Sequence, residues 1–456
     1  MTVGRSYWVG AFLVAVALCA IGSLAVVRTV TTRQSRALQA QISEIRRRGE
    51  PIEPKDVVAS CPISQTENER MPKWMRLSTL ADATGKFTDD AKPLPFVGEL
   101  EVKDDAFDDP MAHQLRDQAH AFLRKHQAPI SLAHELARDP GPVAWPYRFE
   151  DGFDSEFPWV QPLRALNRLL AMECRLRAVE GDIEGSQASW HTMLALSESL
   201  RPRTCGVSCG VVEAMRQSML RLAIEQVEFQ INHHSLSDEQ LRVILSRLTE
   251  IRPEDDIPRV LLGERIIGLI AFQHPDQLFE SDAAIQTPQA NLAVNARDCL
   301  FFFSVIRDLL AACGLSYPEF RREAKRQLDA ALEKAKPPEN SGNSPFPGSA
   351  MMLPGAAIFI IEGAAPTIAL RNIAIVSVAC RRFSHAEGRL PTSLEELVPA
   401  YLAAVPCDPF TGDPLLAKLS DDGIMVYSVR KNETDEGGEK DFYNGDISWR
   451  VSLARD

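Results

Sequence analysis

LRALNRLLAMECRLRAVEGDIEGSQASWHTMLALSESL, residues 163–200, decides the fold class. Leu169, Met172, Leu176 and Val179 recur at the spacing of one helix face. Gly181-Asp182 then breaks the pattern. Trp190, Met193, Leu196 and Leu200 build a second apolar face beyond it. Two amphipathic helices joined by a short turn make an αα-hairpin, because neither apolar stripe is buried unless the two pack together.

Working outward, the same period continues. Met215, Met219 and Leu222 predict a helix over roughly 208–232. Ser237-Asp238-Glu239-Gln240 is a capping box, and it opens a helix carrying Leu241, Ile244, Leu248 and Ile251. Further helices are expected at about 258–273 and within 297–335, and one at 111–138. No second copy of the hairpin recurs at a fixed period, so an irregular bundle is expected rather than a repeat array. Residues 51–110 are rich in Pro, Asp and Lys with little periodicity, and read as loop or short strands. Residues 336–348, KPPENSGNSPFPG, have the composition of a linker. Thr367 to Phe383 reads as a buried helix, since Glu362 and Arg371 would be costly at bilayer depth.

At the N-terminus, Trp8–Val27 is an uncharged apolar run, about 30 Å long as a helix. It is longer than a signal-peptide core and lacks a small-x-small end, so it reads as an uncleaved transmembrane anchor through residues 8–27. Arg28, Arg33 and Arg36 pull toward a cytoplasmic body, opposed by Arg5 and the amino terminus. The expected organisation is an anchor (1–30), a juxtamembrane stalk with a Pro-rich irregular region (31–160), a helical-hairpin domain (161–335), a linker (336–365) and an α+β end domain (366–456).

Composition narrows function by exclusion. The 456 residues carry a formal charge of −12, spread along the chain. A nucleic-acid surface needs a basic stripe to displace counterions, so nucleic acid is not an expected partner. The nine cysteines form no Cys-x-x-Cys pair, so no zinc ribbon is signalled. They read as small core residues, with Cys205–Cys209 or Cys61–Cys407 as possible disulfides of an exported chain. The histidines include no His-Glu-x-x-His pair. His113 and His120 share a helix face without a recurring carboxylate beside them. Trp145–Trp159, WPYRFEDGFDSEFPW, is either a carbohydrate- or peptide-stacking loop or a loop pinned to the core by its rings.

The end of the chain is more specific. Gly388 suits a left-handed helix cap. Leu390-Pro391 restarts the chain, and Thr392 with Glu395 reads as a capping box. Pro406-Cys407-Asp408-Pro409-Phe410 forms a turn, and Gly423 to Val429 alternates as a strand. Asp435, Gly437, Gly438, Glu439, Asp441, Asp446, Ile447 and Trp449 follow. In that order these stations resemble the C-terminal domain of the major pseudopilin of type II secretion. The likeness covers about the last fifth of the chain. It implies a small α+β domain outside the cytoplasm and a calcium ion in the acidic loop, with Asp435, Asp441 and Asp446 as the matching carboxylates. Gly4-Arg5-Ser6-Tyr7 departs from the pseudopilin processing site, so the likeness is to a borrowed module. The Gly181-Asp182 turn, Ser237–Leu241 and Gly263-Glu264-Arg265 also resemble anchored proteins of planctomycete-type bacteria, a likeness that implies no activity. The expectation is a single-pass inner-membrane protein with a periplasmic body that binds a protein partner on its helices. The alternative is an envelope hydrolase with a site assembled from dispersed residues.

Overall fold

The computed structural model describes residues 32–82, 89–99, 113–141, 143–202, 206–274, 291–337, 344–346, 348–350, 352–353, 363–420, 423–439 and 445–452. The expected anchor at 8–27 lies outside them. The helices are α1 (32–47), α2 (Pro54–Ser60), α3 (Gln65–Ala81), α4 (His113–Lys125), α5 (Gln127–Leu136), α6 (Val160–Val179) and α7 (Ile183–Ser199). They continue with α8 (Gly210–His233), α9 (Asp238–Glu250), α10 (Ile257–Gln273), α11 (Asn291–Ala312), α12 (Tyr317–Ala335) and α13 (Ala364–Glu387). Strands β1 (Leu416–Ser420), β2 (Gly423–Ser428) and β3 (Ile447–Ser452) form one antiparallel sheet in the order β1-β2-β3. The protein is mainly α with a small C-terminal sheet.

The hairpin is α6 and α7. Gly181 sits at φ 81°, a backbone setting that favours glycine, and the Asp182 carboxylate accepts from Gly185 N–H at 2.9 Å to cap α7. Trp190 is fully buried and donates its indole N–H to the Ala223 carbonyl of α8 at 3.0 Å, tying the hairpin to the third helix. The Ser237–Gln240 box opens α9, with both reciprocal bonds formed. Gly388 caps α13 at φ 67°.

One core cluster runs from α3 through α6, α7, α8 and α9 into α13, β2 and β3. A second gathers α1, α10, α11 and α12. The C-terminal segment is therefore part of the helical body's core rather than a unit hung from it. Its sheet is tied on by Asn232 of α8, which donates to the Arg450 carbonyl at 2.7 Å and accepts from Ser452 N–H at 3.1 Å. Among the described residues, one helix, Ala364–Glu387, is long and apolar enough to cross a membrane, and 94% of its most apolar window is buried inside the protein.

Three stretches differ from the sequence-based expectation. Residues 65–81 are helical, opened by a Ser64–Glu67 capping box, and bury Trp74 and Leu77. The apolar positions are sparse there because only one narrow stripe of α3 meets the core. Within 336–365, Gly348 and Ser349 donate backbone N–H bonds to the buried Asp298 carboxylate, so this part packs instead of linking loosely. At 392–397, Glu396 holds Thr392, in place of the expected Glu395.

Cys174, Cys209, Cys299 and Cys380 are free and buried, as small core residues. Cys61 is disulfide-bonded, while Cys209 and Cys407 are free, so neither expected pairing forms.

Candidate metal centre

The acidic loop begins where β2 ends and closes where β3 begins. Its sharp reversal is made by Gly437 and Gly438, at φ 73° and 84°. A Cβ on Gly438 would stand 2.6 Å from the Met425 Cε of β2, so the methionine tip packs directly on this turn. The turn aims backbone donors inward. Gly437 N–H donates to Asp435 Oδ1 and Gly438 N–H to Asp446 Oδ2, both at 2.8 Å. Asp446 N–H returns to the Glu439 carbonyl at 2.8 Å, and Ser448 Oγ donates to the Gly438 carbonyl at 2.8 Å. The two halves of the loop are thus clipped together before any ion is considered.

Asp446 is the centre of this arrangement. It is 2% exposed, yet its Oδ1 has no hydrogen-bond partner. Glu436 lies against it, with Oε1 accepting from Asn432 at 2.7 Å and Oε2 buried without a partner. Burial, and then the adjoining Glu436 and Asp435 charges, push the Asp446 carboxyl up to about 6. Tyr427 of β2 closes the inner side. Burial first, then its hydrogen bond to Asp435, raise its hydroxyl to about 12. Two buried carboxyl oxygens turned on one another are satisfied by a proton shared between them, which the raised Asp446 carboxyl favours, or by a cation.

The sequence-derived triad is brought together only in part. Asp435 and Asp446 share the loop and sense each other's charge, while Asp441 lies outside the described residues. Glu436 was missed, because the resemblance carried over only aspartates. Its signal was present in the Asp-Glu-Gly-Gly run, where the turn folds position 436 inward. Among the described residues no group of three or more His, Cys, Asp or Glu side chains is arranged to hold a metal ion. What they supply is a two-carboxylate pincer, Asp446 and Glu436, with Asp435 beside it.

Asp408, in the Pro-Cys-Asp-Pro-Phe turn, is different. Its carboxylate accepts from Phe410 N–H at 2.8 Å and Val429 N–H at 3.0 Å, so both oxygens are satisfied. It pins the turn to the end of β2. Phe410 is buried beneath the Arg321 guanidinium of α12, 4.8 Å from the ring centre.

Elsewhere the polar clusters join helices. His134 of α5 bridges Glu173 of α6 at 2.9 Å and Thr192 of α7 at 2.8 Å. The Thr192 hydroxyl is buried and donates to the Ala188 carbonyl, so it is no exposed nucleophile. His120 pairs with Glu180 at 2.5 Å. The Trp145–Trp159 rings are packed inward: Trp145 stacks on Trp159 at 5.4 Å, and its indole donates to the Ser199 carbonyl. This is the core-pinned loop.

One motif escaped the sequence reading. Gly206-Val207-Ser208-Cys209-Gly210 has the Gly-x-Ser-x-Gly spacing of a nucleophile elbow. Its context is not that of an elbow. Ser208 is fully buried, and no described strand precedes α8. A Cβ on Gly263 would stand 1.7 Å from the Ser208 carbonyl oxygen, so α10 presses directly on this backbone. Glu264 accepts from Gly210 N–H at 2.7 Å, and Arg265 reaches Glu50 at 2.6 Å and the Pro51 carbonyl at 2.8 Å. The Gly-Glu-Arg station is thus a packing device. No protein-family model, curated protein or solved structure matches this chain.

Proposed function

We propose that this chain is a membrane-anchored interaction or structural protein of the bacterial envelope, whose C-terminal module is stabilised by calcium. The observation that carries the reading is the Asp446–Glu436 pair, with one buried oxygen on each left without a donor. Ca²⁺ takes six to eight oxygens on a flexible loop, and carboxylates with backbone carbonyls are its usual ligands. Asp446, Glu436, Asp435 and Asp441 would hold it, with carbonyls of the glycine turn completing the shell. The ion would add positive charge at the Asp446–Glu436 pair, on a turn where the Lys418 ammonium stands 3.5 Å from the place of a Cβ on Gly437. Asp446 immediately precedes β3, and β3 is hydrogen-bonded to α8, so fixing the loop fixes the docking of the sheet on the body.

Two further features support an envelope location. The uncharged run at 8–27 is long enough for an anchor, and the Cys61 disulfide suits an oxidising compartment. The helical hairpins are the surface proposed for a protein partner.

The test is a melting comparison on the full chain in nanodiscs, with calcium and with chelator, alongside a periplasm-active reporter fused after Asp456. Calcium is expected to raise the melting temperature and the reporter to be active. An unchanged melting curve contradicts the cation. A silent reporter beside an active cytoplasmic one contradicts the location.

A further inference from the structure

A cleft of about 700 Å³, counting its open mouth, lies between the end of α5, the last turns of α7 and the end of α9. None of its residues belongs to the acidic loop. Its floor is apolar, with Leu194, Ala195 and Ile251. Its charged groups are Glu198 of α7, Arg201 just beyond that helix, and Arg247 and Glu250 of α9, and His191 of α7 stands among them.

These groups are unequally engaged. Arg201 is committed to the buried Asp256 at 2.9 Å and stands 3.6 Å from Glu198. Glu198 is also 3.6 Å from the buried Arg216. Among the described residues Arg247 bonds to Glu250 at 3.0 Å, and both are half exposed. An exposed i,i+3 pair is weak and opens readily. The His191 Nε2 atom is buried without a partner. Burial, and then Arg247, lower the pKa of His191, which keeps the ring neutral at neutral pH.

We propose that the cleft binds a small amphipathic monocarboxylate, its carboxylate on the Arg247 guanidinium and its apolar body on Leu194, Ala195 and Ile251. The arginine fork matches a carboxylate in geometry. A dianion such as phosphate fits less well, because two glutamates balance the two arginines. A cation would compete with Arg201 and Arg216 for Glu198. An apolar floor with a few convergent polar groups is the usual build of a small-molecule site.

The experiment is calorimetric titration of the full chain in nanodiscs, with chelator present so that the outcome does not depend on calcium. The probes are hexanoate and N-acetyl-leucine, which separate an acyl source from a peptide-derived one, and the neutral N-acetyl-leucinamide. Saturable binding of at least one carboxylate is expected, about tenfold or more tighter than the amide. Arg247→Gln should weaken it about tenfold without changing the melting temperature, and Glu250→Gln, which frees the fork, should strengthen it. Failure of both carboxylates to saturate, equal binding of carboxylate and amide, or indifference to Arg247→Gln would overturn the proposal.

Discussion

Asp256 and Asp446 are both buried carboxylates, and the protein treats them oppositely. Asp256, at the start of α10, receives Arg201 at 2.9 Å, Arg216 at 3.0 Å and Arg259 at 2.5 Å. Asp446 receives one backbone N–H and faces Glu436. Where a carboxylate holds helices together, the chain supplies its own cations. Where the acidic loop closes, it supplies more acid. The contrast is that the body pairs its buried carboxylate with its own guanidinium groups, while the loop sets one carboxyl against another.

The largest expected effect tests the body's half of this contrast. Asp256→Ala leaves three guanidinium groups around an empty position, with Arg216 fully buried. It should cost about 3–5 kcal/mol in urea unfolding. A loss below about 1 kcal/mol would mean that Glu213 and Glu198 suffice for the arginines.

The loop's half comes next. Calcium at one hundred times its dissociation constant should add about 2.7 kcal/mol to the stability of the sheet region, read by hydrogen exchange in β2 and β3. Asp446→Asn should remove that gain and, without calcium, stabilise the loop by relieving the repulsion from Glu436.

A smaller effect is the pH dependence without calcium. The folded Asp446 carboxyl titrates near 6, above its ordinary 3.8. A raised carboxyl contributes stability in full below the ordinary value and loses it as pH rises through the folded one. The loop should therefore weaken between about pH 4 and 6, by on the order of 1 kcal/mol after solvent screening. Asp446→Asn should flatten that slope. The smallest effect lies at the edge of the body. Ser64→Ala, which removes the α3 cap, should cost roughly 0.5–1 kcal/mol by thermal unfolding, with no change in calcium response.

Much of the fold was legible because it is written locally. The Gly181-Asp182 turn, the Ser237 box and the Gly388 cap each act within a few residues, and the strand forms at 423–428, though it is buried nearly throughout rather than on alternate positions. Helix α3 was missed although Ser64-x-x-Glu67 announced it, because the Pro and Asp around it masked a narrow stripe. The partners of Asp256 come from the turn after α7, from α8 and from α10, and no spacing rule joins them. In the loop, the glycines and aspartates could be read, but the inward turn of Glu436 depends on β2 and β3 lying side by side. The serine of Gly206–Gly210 teaches the reverse lesson, since its motif is local but its burial under Gly263 is not.

The most direct test of the account is calorimetric titration of calcium into the chelator-stripped full chain and its Asp446→Asn variant, at pH 6 and pH 7.5. One ion per chain should bind the unaltered protein, more weakly at the lower pH as the Asp446 proton competes, and the variant should show no such site. Absence of saturable binding in the unaltered chain, or equal binding by the variant, would contradict it.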